Sequence, residues 1–182
     1  TTFDLSRVSK SGAKFSLDKT NWFNQQYLRK LSGKELALQL RPFLEKANLK
    51  AESSFLESVC ELMKERATFV EDILIEGRYF FEAPSTYDEK TIRKKWGEDT
   101  PKIIAELSGL LEKLPLFDAE SISSCFKSFL EEKNLSFGSV MPSFRVSVTG
   151  LGAGASMNEI AALLGKKKVL SRIVTALSKI NK

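Results

Sequence analysis

Gly150, Gly152 and Gly154 stand two residues apart in "TGLGAGAS", behind the apolar, β-branched run "FRVSV" and ahead of "MNEIAALLG". Strand, glycine-rich turn and helix N-terminus in that order outline a dinucleotide site, in which backbone N–H groups cradle a pyrophosphate. That chemistry needs a parallel sheet, a second strand after the helix, and an acid roughly 20 residues on for the ribose. The chain continues instead with Lys166, Lys167, Lys168 and another amphipathic stretch, with neither strand nor acid. Nucleotide binding is therefore set aside. The glycines leave backbone N–H and C=O groups unshielded, which suits the close approach of a flat ligand such as a base. Arg145, Arg172 and the lysine triplet place positive charge on the flanking segments. Basic residues beside bare backbone can hold phosphates and the edges of unstacked RNA bases. The plain alternative is an interhelical loop.

Other chemistries find little footing. The 182 residues include no histidine, which removes the usual general base near neutral pH and the commonest metal ligand. Cys60 and Cys125 are the two cysteines, each within an apolar helical pattern. They read as reduced core thiols of a cytoplasmic protein, and a zinc site on two cysteines without histidine is disfavoured. No pair of carboxylates sits in a recognisable catalytic motif. A formal charge of +5 and a pI near 9.1 fit an anionic partner, without a polybasic tail. No apolar run reaches the roughly 18 residues of a membrane-spanning helix, and no signal-peptide pattern is present. The chain opens on "TTFDLS" without methionine and reads as a piece of something longer.

The elements that would position these residues are helices, about ten of them by periodicity and capping signals. Asp18 is the candidate N-cap for residues 18 to 30, where Trp22, Phe23, Tyr27 and Leu31 recur at helical spacing. Ser32 and Glu35 stand at capping-box spacing before the Leu36, Leu40 and Leu44 stripe, inside which Pro42 predicts a kink or break. The same spacing recurs at Ser54 and Glu57, at Thr68 and Glu71, and at Ser156 and Glu159. Further helices are expected over "DEKTIRKKWG", over "TPKIIAELSGLLEKL" with Pro101 at its start, over "DAESISSCFKSFLEEKN" and over "KKKVLSRIVTALSKI". Only "RYFF" and "FRVSV" alternate like strands, and "PSFRVSVTG" is expected to be helical all the same. Trp22, Trp96, Phe80 and Phe81 are assigned to the core. The best subdomain boundary by composition is "FEAPSTY", residues 81 to 87.

Three ordered blocks carry a family resemblance. "FDLSRVSKSGAKFSLDKTNWFNQQYLR", "VCELMKERATFVED", and "MPSFRVSVTG" with "NEIAALLGKKKVLSRI" resemble, in order, the C-terminal half of bacterial glutamyl-tRNA synthetases. The resemblance implies an all-α, two-subdomain anticodon-binding module, an α-helix cage, preceded by the end of a stem-contact region. Residues 1–30 would finish the stem-contact region, 31–78 form a first anticodon-binding subdomain and 79–182 a second. The parent would be a class I glutamate–tRNA ligase, with ATP and Mg in its catalytic core. The chain itself would need no cofactor and do no chemistry. "RVSKSG" resembles the family's ATP loop superficially, and no ATP is assigned to it. The implied partner is tRNA-Glu, bound by a cytoplasmic monomer with no membrane or DNA role.

The resemblance also implies roles for single residues. Arg66, in "LMKER", would read the third anticodon base. Arg145, Gly152, Gly154, Ala155 and Met157 would pack on the anticodon. Arg7, Lys10, Asn24, Tyr27 and Arg29 would meet the tRNA stem or backbone, although Tyr27 fits a core position equally well. Three positions depart from the family pattern. Pro142 stands one place early, Gly154-Ala155-Ser156 replaces a Thr/Pro-bearing turn, and Asn158 fills an often aromatic position. The rival from another class is a helical protein–protein adaptor, and "KTIRKKWG" reads as a solvated basic face that could touch RNA.

Overall fold

Apolar side chains recurring three and four residues apart commit nearly every segment to helix. The computed structural model describes residues 16–180, and its regular elements are ten α-helices and one 3-10 turn, with no strand among the described residues. In chain order they are α1 (Leu17–Lys30), α2 (Gly33–Lys46), α3 (Ser53–Met63), α4 (Val70–Glu76) and the 3-10 turn Arg78–Phe80. Then come α5 (Glu89–Lys95), α6 (Thr100–Glu112), α7 (Ala119–Glu132), α8 (Phe137–Thr149), α9 (Met157–Leu164) and α10 (Lys166–Lys179). The all-α expectation is borne out.

Caps explain most boundaries. Ser32 and Glu35 form the expected box: the Ser32 N–H donates to Glu35 Oε2 at 2.8 Å, and the Glu35 N–H to Ser32 Oγ at 3.3 Å. Asp88 and Asp118 cap α5 and α7 through N–H donors at Thr91 and Ser121, 2.6 and 2.7 Å away. The Thr91 side chain and then its N–H hold the Asp88 carboxyl below the ordinary aspartate value, and the Ser121 N–H and then its side chain do the same for Asp118. Elsewhere the spacing misleads. Ser16, not Asp18, caps α1. The helix expected behind a Ser54 cap begins two residues earlier, behind Glu52, with no side-chain cap. At α4 the carboxylate that folds back is Asp72, not Glu71, accepting from the Thr68 and Phe69 N–H groups at 2.9 and 2.8 Å. Ser156 precedes α9 without a side-chain cap bond.

Neither proline breaks its helix. Pro42 lies inside α2, and the carbonyl it leaves without a donor belongs to exposed Leu38, where water can serve it. Pro142 lies inside α8, and the carbonyl four residues back belongs to Gly138. Lys95 Nζ donates to that oxygen at 3.0 Å, so an ammonium replaces the missing peptide N–H. In return Ser143 Oγ donates to the Lys95 carbonyl at 3.1 Å, closing the end of α5.

The "FRVSV" run is the middle of α8. Val140, Met141, Phe144, Val146 and Val148 are all buried, so the helix is apolar on nearly every side and occupies the interior. Its hydroxyls are satisfied within the helix: Ser147 Oγ donates to the Ser143 carbonyl and Thr149 Oγ1 to that of Arg145, both at 2.8 Å. It ends at Gly150, with φ 78° in the left-handed region. A Cβ there would also sit 2.6 Å from the Thr86 carbonyl oxygen, so no other residue fits.

One apolar cluster runs from Leu28 and Leu36 through Ile73 and Phe80 to Phe144 and Ile173. Trp96 and Phe80 are buried as expected, and Phe81 is half-buried against the same cluster. Trp22 is not: at 54 % exposure it stands on the outer side of α1, its ring edge-on to Phe23 at 5.1 Å. The helix buries the side marked by Leu28 and turns its aromatics outward. The charges expected around the glycine run are also redirected. Arg172, on α10, is buried and donates Nη1 to the Val148 carbonyl at 3.1 Å and Nη2 to the Glu82 carbonyl at 3.0 Å. Burial lowers its guanidinium pKa, and nearby Tyr87 partly offsets that. Lys166 Nζ donates to the Glu112 and Leu114 carbonyls, capping the end of α6. Lys168 Nζ stands over the Phe55 ring at 5.5 Å.

Replacing Arg172 by Met leaves two carbonyls without donors, and an unmade buried hydrogen bond costs about 1–3 kcal/mol. Arg172→Met is therefore expected to lower unfolding stability by about 2–3 kcal/mol in a urea titration, while Lys167→Met leaves the midpoint nearly unchanged.

Candidate nucleic-acid interface

Two arginines far apart in sequence meet around one phenol. Arg66 follows α3 on a turn whose N–H donates to the Met63 carbonyl at 3.0 Å, and its side chain is exposed. Arg145 comes from α8 and is half-buried. The charges of both bear on Tyr79, buried in the 3-10 turn with its hydroxyl on Met63 Sδ at 3.6 Å. Burial pushes the Tyr79 phenol up to about 12, against the opposing pull of Arg145 and then Arg66. Burial likewise lowers the Arg145 pKa, Tyr79 counters it, and the Arg66 charge lowers it further. The three side chains thus share one electrostatic neighbourhood, rich in N–H donors.

The glycine loop closes one side of it. Arg145 Nη2 donates to the Ala155 carbonyl at 2.9 Å, and Nη1 is buried with no hydrogen-bond partner among the described residues. A Cβ on Gly154 would stand 2.9 Å from that Nη1, so the guanidinium occupies the space a side chain would take. At its other end the loop rests on α5. The Gly150 carbonyl accepts from the Asp88 N–H at 2.8 Å, and Gly152 lies against Thr91 and Asp88. A cleft of about 390 Å³ opens beside this seat, with Tyr79, Tyr87, Thr149 and Leu151 among its walls.

The residues singled out in the sequence therefore divide. Arg145, Gly154 and Ala155 are in contact, Gly152 belongs to the same loop but rests on α5, and Arg66 reaches the group through its charge on Tyr79 and Arg145. Met157 does not present its side chain: at 3 % exposure it belongs to the core, and Ala155 is buried as well. The apolar side chain that the loop turns outward is Leu151, 41 % exposed. Asn24 and Arg29 turn onto the segment around Arg66, Arg29 at the surface. Asn24 Nδ2 donates to the Thr68 carbonyl, and Arg29 Nη2 to the Glu65 carbonyl at 3.1 Å. Tyr27 is exposed rather than core. Arg7 and Lys10 lie outside the described residues. On α5, Lys95 is taken up by Gly138 and Arg93 pairs with Glu89 at 3.0 Å, leaving Lys90 and Lys94 on the basic face. Among the described residues no cluster of His, Cys, Asp or Glu could hold a metal ion, and no helix is long and apolar enough to cross a membrane.

Sequence reasoning missed Tyr79 and Leu151. "RYFF" reads only as a short aromatic run, and nothing local links it to Arg66 or Arg145. Their meeting is tertiary.

Arginine donors beside bare backbone are groups that can hold unstacked RNA bases. The chain belongs to the family described as anticodon binding domain, which it matches over residues 35–177. An anticodon belongs to tRNA, which gives the class of ligand. The chain is 40 % identical over 94 % of its length to a glutamate–tRNA ligase of Phocaeicola vulgatus, and 37 % identical over 96 % to that of Amoebophilus asiaticus. It spans about a third, 34 %, of each of those relatives. A crystal structure of a glutamate–tRNA ligase from Elizabethkingia meningosepticum, in complex with its amino acid, superposes with TM-score 0.90 at 36 % identity. That match covers 98 % of this chain and 36 % of the other. The family resemblance is borne out, and the adaptor reading is not favoured.

Two measurements probe this site. Because the Tyr79 phenol is raised from about 10 to about 12, its neutral form stabilises the fold below pH 10, and that share is lost as pH rises through 12. The stability gap between the natural chain and Tyr79→Phe is expected to shrink between pH 10 and 12 in parallel urea titrations. Gly154→Ala displaces the guanidinium from Ala155. It is expected to cost about 1 kcal/mol in the natural chain and close to nothing in an Arg145→Ala background, a double-mutant cycle read by denaturant midpoint.

Proposed function

We propose that this chain grips the anticodon arm of a glutamate tRNA on behalf of a glutamate–tRNA ligase. ATP and Mg would serve the parent's chemistry, attachment of glutamate to that tRNA, at residues outside this chain. The fragment works as a cytoplasmic monomer without a cofactor of its own. Residues 31–78 and 79–182 act as its two anticodon-binding subdomains, and residues 1–30, with Arg7 and Lys10, lie toward the stem. The observation that carries the reading is Arg145, which donates to the Ala155 carbonyl beside Gly154 and Tyr79, with the charge of exposed Arg66 bearing on the same phenol.

The chemistry at Arg66 gives the specificity. A guanidinium offers a fork of donors. Cytosine presents acceptors on its pairing edge, whereas guanine presents N–H donors there and would be repelled. An arginine at this place therefore favours the cytosine that ends a glutamate anticodon. Arg145 and the loop, with outward Leu151, address the remaining bases through backbone groups and apolar contact. Lys95 and Lys166 are spent on carbonyls and Lys90 and Lys94 of α5 remain, so phosphate contacts supply a small part of the affinity.

Binding of this chain to tRNA-Glu, tRNA-Gln and a tRNA-Glu with guanine at the third anticodon position tests the reading. The natural chain is expected to prefer cytosine by about tenfold or more, a difference of about 1–3 kcal/mol for a good polar base contact. Arg66→Ala is expected to bind both variants alike. The plot of log K against log salt should be shallow, with a slope of roughly −2 to −4. Equal binding of cytosine and guanine variants by the natural chain would sink the Arg66 assignment.

A further inference from the structure

The turn that carries Arg66 is built from elsewhere. Helix α3 ends at Met63 and α4 begins at Val70, so Arg66 sits on a short link between them. Side chains of α1 reach that link on both sides of the arginine. Before it, Arg29 Nη2 donates to the Glu65 carbonyl at 3.1 Å, and Arg29 Nε pairs with the Glu65 carboxylate at 3.0 Å. After it, Asn24 Nδ2 donates to the Thr68 carbonyl and Gln25 Nε2 to Thr68 Oγ1 at 2.9 Å. On the far side Asp72 takes the Thr68 and Phe69 N–H groups, so both backbone polar groups of Thr68 are held.

We infer that Asn24, Gln25 and Arg29 are positioning residues for the anticodon-reading arginine, and not contacts to the tRNA stem. The side chains that would have to reach RNA are already turned onto residues 65 and 68 of the same chain. Their targets are carbonyls and a hydroxyl that flank Arg66 by one and two places, so they fix the direction in which its guanidinium leaves the backbone. The Arg29–Glu65 pair is substantially exposed and adds little stability. Its value lies in geometry, because a donor fork that misses its base by about an ångström loses the bond that gives discrimination. Buried Ala67 anchors the link from below, which leaves α1 to set its upper course.

The inference rests on the proposed role of Arg66, and the experiment separates the two. Binding of the 182-residue chain to the cytosine and guanine variants of tRNA-Glu is measured for Asn24→Ala, Gln25→Ala and Arg29→Gln, each alone and with Arg66→Ala, at two salt concentrations. Thermal midpoints are followed alongside. The expected result is a loss of cytosine preference of about fivefold in Asn24→Ala and Arg29→Gln, with no further loss once Arg66 is gone. The salt slope is expected to stay unchanged in Arg29→Gln, whereas a phosphate contact would lower it by roughly 0.7–0.9. Arg29→Lys, which keeps the charge but not the fork, should behave like Arg29→Gln in base preference. Full preference in all the α1 variants, or a preference kept in Arg29→Gln beside a reduced salt slope, overturns the inference. If instead Arg66→Ala keeps the preference of the natural chain, the role of Arg66 falls and takes this one with it.

Discussion

The packing of α5, α6 and α10 depends on the backbone of α8, whose residues from Val140 to Thr149 are largely buried and whose polar groups there must find partners without water. Its proline frees the Gly138 carbonyl, which Lys95 takes. Its last turn presents the Val148 carbonyl, which Arg172 takes while also reaching Glu82. Its terminal Gly150 offers a carbonyl to the Asp88 N–H at the start of α5. Lys95 and Asp88 hold the two ends of α5 and Arg172 comes from α10, so satisfying one helix fixes α5, α10 and the 82–88 link at once. The loop beyond Gly150 has its shape as a by-product, seated on α5 at one end and on Arg145 at the other.

Cation use obeys the same need. A net positive chain near an RNA partner invites the idea that its arginines and lysines face the phosphates. In this fold the most engaged of them instead serve carbonyl oxygens: Arg29, Lys95, Arg145, Lys166 and Arg172 all donate to backbone. Arginine suits the double role, because one edge of its fork can be spent on structure while another stays available. Arg145 shows this, with Nη2 on Ala155 and Nη1 unpaired beside Gly154 and Tyr79 among the described residues.

How much of this was legible in the sequence depends on whether the deciding contact is local. Helix periodicity and the Ser32–Glu35 box are local, and both came through. So did the helical reading of "PSFRVSVTG", where burial overrides the β preference of its valines. Pro42 and Pro142 could not be judged locally, because a proline's cost depends on who serves the carbonyl four residues back. The same holds for Met157 and Trp22. An apolar residue beside a loop or on an amphipathic helix carries no mark of which way it faces, and here the methionine turns in and the tryptophan out. The family blocks pointed to the family that the comparisons show. They could not show that Asn24 and Arg29 reach residues 65–68, since those bonds span roughly forty residues of chain.

The two tryptophans have a further consequence. Trp96 closes α5 at 2 % exposure, packed with Val146 and Ala176, while Trp22 stands 54 % exposed on the helix that steadies the Arg66 link. The chain therefore carries two intrinsic optical reporters with opposite surroundings. Emission from the first should be blue-shifted and report on the α5–α8–α10 junction, and emission from the second should be red-shifted, open to quenchers and responsive to whatever comes to rest on the outer side of α1.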